Sequence, residues 1–206
     1  MPPSDATNAI LINNGGNCIA TAGCFPAAGL CPSGYCLAPG TCPPANPGAG
    51  NSGAGVYGDL TVKGELHFSA GCYNINSLTE NGGGSLTIDS GPVILNVAGT
   101  GTTSPITLVG GGLINSATPA YNAASLQILY AGTGAIKLAG GATSIGLMYA
   151  PAASFSLTGG SNWYGSLIGA TLTDMGGAAI HYDRHLQVED FIPGNWMLES
   201  FSWKKN

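Results

Sequence analysis

Charge is scarce in this chain. Only 7% of its 206 residues are Asp, Glu, Lys or Arg, against about 25% in an average soluble domain. The five basic residues, Lys63, Lys137, Arg184, Lys204 and Lys205, form no extended cluster. A nucleic-acid binder needs clustered Lys and Arg to displace counterions, so that class is excluded and no nucleic-acid partner is expected. Long apolar runs are missing too, and no stretch reads as a transmembrane segment. The opening Met1-Pro2-Pro3-Ser4 lacks the basic and apolar regions of a secretory leader, and a mature or trimmed chain is expected. The glycines come in pairs and triplets rather than at every third position, which excludes collagen. A mean hydropathy of +0.23 is too high for a disordered tail. The length suits one domain with a small appendage.

Cysteine is present and unevenly placed. Cys18, Cys24, Cys31, Cys36 and Cys42 crowd the Pro- and Gly-rich segment 1–54, and Cys72 follows alone. That segment has too few large apolar residues to fold by burial, and disulfides worth roughly 2–4 kcal/mol each would supply the constraint. Six cysteines allow three bridges in fifteen pairings. A zinc site is the rival reading, but its ligand pairs are spaced more closely and regularly than these. Disulfides imply an oxidising compartment, outside the cell or in a periplasm, and an extracellular location is expected.

From Tyr57 to His185 there is no helical periodicity. Apolar residues alternate instead: Leu60 and Val62, Leu66 and Phe68, Leu86 and Ile88, Ile106 and Leu108, Leu126 and Ile128, Ile136 and Leu138, Phe155 and Leu157. Alternation marks half-buried strands. The strands repeat. Leu129-Tyr130-Ala131 recurs as Met148-Tyr149-Ala150, 19 residues on, and Ile136-Lys137-Leu138-Ala139-Gly140-Gly141 recurs as Phe155-Ser156-Leu157-Thr158-Gly159-Gly160 at the same offset. A looser copy runs from Leu167 to Gly177, and Ala98–Gly111 carries the pattern with three extra residues. A period near 19 with no helix fits one coil of a β-helix. A β-sandwich also has short strands and Gly-rich turns, but does not require a fixed repeat. The expected fold is therefore all-β: a single-stranded β-helix, a solenoid with coils of about 19 residues, over 55–186. The Cys-rich segment 1–54 precedes it. Residues 187–206, with Phe191, Trp196, Phe201 and Trp203, are expected to cap its open end, which would otherwise expose core and unpaired backbone.

The run Gly146-Leu147-Met148-Tyr149-Ala150-Pro151, the stretch Gly159 to Gly169 and the closing Ile180-His181-Tyr182-Asp183 are distinctive. Together they resemble a domain of unknown function found in PilX-like, type IV pilus-associated bacterial surface proteins. The resemblance is best over Leu126 to Asp183. It implies a bacterial surface location and pilus components as partners, and it brings no catalytic residues. A looser resemblance, through Gly55-Val56-Tyr57, Leu60-Thr61-Val62 and Ala70-Gly71-Cys72-Tyr73, is to secreted ice-binding β-helix proteins.

Candidate chemistry is thin. Glycoside hydrolysis needs two carboxylates flanking a bond, and the repeat region between Glu65 and Asp183 offers Glu80, Asp89 and Asp174. Asp89 and Asp174 read as turn residues bonding their own backbone. His181, Asp183 and His185 stand at i, i+2 and i+4, and on one strand all three would share a face able to hold a metal. The competing reading, which we adopt, is that His181 and Asp183 lock the last corner by hydrogen bonds; no metal or other cofactor is expected. Asn81-Gly82-Gly83-Gly84 lacks the Lys and helix of a phosphate loop and reads as a turn. Gly165-Ser166 is unremarkable in so Ser-rich a chain. Thr61, Thr87, Thr107, Thr143, Thr158, Thr171 and Thr173 form no strict Thr-x-Thr series, which counts against ice binding.

The expected function is a non-catalytic extracellular structural or adhesive module of a bacterial surface, pilus-associated or filament-forming. Self-association or pilus and surface components are the expected partners; the alternative is an ice-binding or glycan-binding β-helix. The aromatics Trp163, Tyr164, Trp196 and Trp203 are the expected contact residues, because Trp and Tyr supply much of interface energy.

Overall fold

The computed structural model describes residues 10–12, 18–20, 24–26, 35–37, 55–81, 83–109, 113–115, 122–140 and 143–187. In these residues the chain is a β-solenoid of about five turns. Four short strands come first: β1 (Ile10–Ile12), β2 (Cys18–Ala20), β3 (Cys24–Pro26) and β4 (Tyr35–Leu37). The coils then run through β5 (Asp59–Val62), β6 (Glu65–Phe68), β7 (Gly71–Ile75), β8 (Ser77–Asn81), β9 (Ser85–Ile88), β10 (Val93–Val97), β11 (Ile106–Val109), β12 (Leu113–Asn115), β13 (Leu126–Tyr130) and β14 (Ile136–Ala139). Two long strands, β15 (Thr143–Thr158) and β16 (Asn162–Met175), and a short β17 (Ala179–Tyr182) complete it. Helix is confined, among the described residues, to two short 3-10 turns at Ala123–Ser125 and Arg184–Gln187.

Each coil contributes three strands, so the column has three faces of parallel ladders. The first face stacks β5, β8, β11, β14, the end of β15 and the end of β16. The second stacks β4, β6, β9 and β12. The third stacks β7, β10, β13, the middle of β15 and β16. β15 and β16 each turn a corner without breaking, which joins the first and third faces into one twelve-stranded sheet. β1 pairs parallel on β5 and β4 on β6, so strands from 1–54 continue two of these faces.

The core is the column interior. All fourteen residues of the seven alternating pairs are buried, as strand alternation dictates. Tyr73 lies among them, edge-on to Phe68 with ring centroids 5.0 Å apart. Its hydroxyl donates to Ser69 O at 2.9 Å. Burial pushes the Tyr73 phenol above its ordinary value of 10.0, with the Ser69 hydrogen bonds pulling the other way.

The 19-residue period holds only in part. Ile136 pairs with Phe155 and Met148 with Leu167, both 19 apart. Leu60 pairs with Leu78 at 18, Ile106 with Ile136 at 30 and Val97 with Tyr130 at 33, because loops at the corners vary. The recurring Leu-Tyr-Ala and Met-Tyr-Ala are not in register: Ile128 pairs with Met148 and Leu129 with Tyr149. A one-residue slip reverses the facing of every side chain. Tyr130 is accordingly buried, whereas Tyr149 is partly exposed. Tyr130 occupies the space left by Gly99, Gly132 and Gly134, where an added Cβ would come within 2.7, 2.3 and 2.9 Å of its side chain. Its hydroxyl accepts the Gly134 N–H at 2.9 Å.

Candidate functional site

The first face carries a column invisible in the linear sequence. Each of its strands has the form inward residue, outward residue, inward residue: Leu60-Thr61-Val62, Leu78-Thr79-Glu80, Ile106-Thr107-Leu108, Ile136-Lys137-Leu138, Phe155-Ser156-Leu157 and Leu172-Thr173-Asp174. The ladder registers place Thr61 beside Thr79, Thr79 beside Thr107, Thr107 beside Lys137, Lys137 beside Ser156, and Ser156 beside Thr173. Five hydroxyls and one ammonium thus rise in a row, repeating at about 4.8 Å, the spacing of hydrogen-bonded strands. Ser154 beside Thr171 adds a second row over the last two coils. The threonines that look scattered in the sequence are therefore partly aligned. Thr79 is the member that reading by Thr-x-Thr spacing passes over; the inward–Thr–inward triplet is the signal that finds it.

A second constellation sits on the second face. Leu66 and Phe68 point inward, so Glu65 and His67 point outward from β6. His67 is nevertheless only 3% exposed. Its Nδ1 lies 2.9 and 2.8 Å from the two carboxylate oxygens of Asp89, and its Nε2 lies 2.9 Å from Glu65 Oε1. Asp89 follows β9, the strand stacked on β6, and its backbone N–H is fixed on Phe68 O. Ionised carboxylates only accept, so the ring donates to both at once only as the imidazolium. Sequence reading missed His67 and assigned Asp89 to its own backbone. Glu65-Leu66-His67 spacing on a strand was the available signal; the 22-residue step to Asp89 was not, because coil length varies. His67 is buried and Asp89 mostly so, and they tie one coil to the next, while Glu65 is half exposed at the edge of the contact.

The expected contact aromatics divide. Trp163 is 1% exposed and belongs to the core, because it occupies an inward position of β16 beside Ser144 and Ile180. The expectation that it lies on the surface is corrected. Tyr164, its neighbour, points outward, is exposed and stacks on His181 with ring centroids 4.4 Å apart. Trp196 and Trp203 lie outside the described residues, as do Cys31 and Cys42. The backbones of Cys18, Cys24 and Cys36 fall in β2, β3 and β4. Cys72 is buried in β7 and disulfide-bonded.

The continuous strand that would put His181, Asp183 and His185 on one face is not present. β17 ends at Tyr182, Asp183 follows the strand, and His185 lies in the 3-10 turn Arg184–Gln187. His181 Nε2 lies 3.4 Å from Asn162 Oδ1, a diagonal contact between the paired strands β17 and β16. Among the described residues no three or more His, Cys, Asp or Glu side chains are placed so that they could hold a metal ion. The three carboxylates named with Glu65 and Asp183 do not converge either. Glu80 is fully buried in the ladder between Val62 and Leu108. Asp89 is held by His67, and Asp174 accepts the Ala178 N–H at 3.3 Å across the Gly176-Gly177 turn. Gly84 donates to Asn81 O at 3.1 Å, closing the expected turn there. A groove of about 170 Å³ between Tyr149, Ser166, Ile168, Tyr182 and Leu186 is apolar, and is smaller than the roughly 300 Å³ at which ligand pockets begin.

No curated protein and no solved structure matches the chain. A family model does, described as a domain of unknown function, DUF7305, and it covers residues 46–189. That span takes in every coil of the solenoid, the hydroxyl column and the His67 tie, and on it the chain belongs to the DUF7305 family.

Proposed function

We propose that this chain is a non-catalytic structural or adhesive module of a bacterial exterior that works by packing its hydroxyl-bearing first face against copies of itself or a pilus-like surface. The observation that carries the reading is the row Thr61, Thr79, Thr107, Lys137, Ser156 and Thr173. Such a row is regular, short-chained except at Lys137, and carries one charge, so a second flat surface meets little repulsion as it approaches. Short β-branched hydroxyl residues also lose little rotamer freedom on contact. The disulfide at Cys72 supports an oxidising compartment, and the motif from Gly146 to Asp183 supports pilus association. The test is sedimentation velocity of the oxidised chain over a wide concentration range. Concentration-dependent assembly, abolished by Thr79→Glu with Thr107→Glu while the chain stays folded, supports the reading. A monomer at every concentration, with no binding to pilus or cell-surface preparations, overturns it.

The same row favours a second reading, ice binding, since evenly spaced threonines order water at a flat face. Ice crystals shaped by the wild-type chain and left unshaped by Thr79→Glu with Thr107→Glu would select it over assembly. A glycan is the weaker variant: sugar rings stack on aromatic faces, and this row has none.

A further inference from the structure

We propose that the open end of the solenoid is a docking surface for this chain's own residues 188–206. The last coil is finished in backbone but not in burial. Leu172 stacks on Phe155, and Ile180 on Trp163. Phe155 and Trp163 are each 1% exposed, whereas Leu172 is 51% and Ile180 41% exposed. Tyr182, stacked on Gly165, is 54% exposed. Leu172 and Ile180 hold the same inward ladder positions as Phe155 and Trp163, one coil later, and no further layer covers them among the described residues. The strands that carry them, the end of β16 and β17, are also sheet edges among the described residues, with backbone groups facing along the column axis.

Two occupants fit an apolar, edge-bearing end: a second copy or a segment of the same chain. A head-to-tail copy would have to present an equally open coil at its other end. There, β1 covers β5, β4 covers β6, and Leu60, Val62, Leu66 and Phe68 are all fully buried. The same-chain segment fits better. It begins directly after Arg184–Gln187, whose Leu186 already lines the apolar groove with Ile168 and Tyr182. In nineteen residues it carries Phe191, Ile192, Trp196, Met197, Leu198, Phe201 and Trp203, as many large apolar side chains as a coil of the same length but without the alternation of the coil strands. Covering an end with non-repeating sequence also stops coil-on-coil addition, as terminal repeats do in other solenoids.

The test is limited proteolysis of the intact, oxidised chain with chymotrypsin, with a synthetic 188–206 peptide as the reference. Docking predicts cleavage after Phe191, Trp196 and Phe201 at least about 100-fold slower in the chain than in the peptide. Leu172→Asp with Ile180→Asp should raise the chain's rate about tenfold or more while β-sheet circular dichroism is kept. Tyr182→Ser is the milder variant if that pair fails to fold. Cleavage of the native chain at the peptide's rate overturns the proposal. So does a stable dimer in sedimentation whose dissociation, rather than loss of 188–206, exposes the end to an apolar dye.

Discussion

Asp89 is the residue on which the buried imidazole of the second face depends. Both of its oxygens lie within 2.9 Å of His67 Nδ1, and its side chain is itself mostly buried. Asp89→Ala leaves that ring nitrogen buried without its carboxylate and should cost about 1–3 kcal/mol in chemical denaturation. Glu65 is half exposed, so Glu65→Gln should cost no more than about 1 kcal/mol; equal losses would contradict the assigned roles. Tyr73 gives a pH signature. Its phenol is raised by burial, so above pH 10 the unfolded chain releases a proton that the folded chain retains. That contribution is whole below 10 and lost as pH rises through the folded value. Tyr73→Phe should flatten the alkaline limb of a stability–pH curve, and an unchanged limb would contradict it. Trp163, buried in the column, should cost about 3–5 kcal/mol on substitution by Ala. Tyr164→Ala, on the outward side of the same strand, should cost under about 1.5 kcal/mol, mostly through its lost stack on His181.

At the scale of elements, tight stacking of one coil on the next is the test of register. Gly165 pairs with Gly146 and has φ +130, and a Cβ there would come within 2.1 Å of Gly146 O. Gly165→Ala should therefore destabilise by at least about 2 kcal/mol. Gly160, with φ +72 and open space around it, should cost only roughly 1–2 kcal/mol as Ala. Similar losses at both would mean that the coils are not packed as described. Much of this layer was legible from sequence. The seven alternating pairs identify seven strands and fourteen core residues, because period two is a local property of the chain. Register was less legible. The Leu-Tyr-Ala repeat suggested a step of 19 where the ladder takes 20, since corner loops absorb single residues without a trace in the pattern. Strand ends were harder still: His181, Asp183 and His185 hold metal spacing only if β17 continues past Tyr182, and nothing local marks that stop. The Thr row and the His67 tie needed stacking across steps of 17 to 30 residues, which no single strand encodes.

For the whole molecule, low charge and a regular stack lead to the same expectation. With ten acidic and five basic residues over 206, repulsion between copies is weak, and the first face offers them a flat row of hydroxyls. Glutamates at outward positions 79 and 107 pack no core but stand side by side in the ladder, so their repulsion and lower strand preference should cost about 1–2 kcal/mol, too little to unfold the column. Any change in association then reports on the face and not on the fold. The most direct measurement is negative-stain electron microscopy of the oxidised chain at neutral pH, beside the Thr79→Glu with Thr107→Glu variant. Packing through the first face predicts filaments or side-by-side arrays for the wild type and single particles for the variant. Discrete single particles in both preparations, or identical arrays in both, would contradict it.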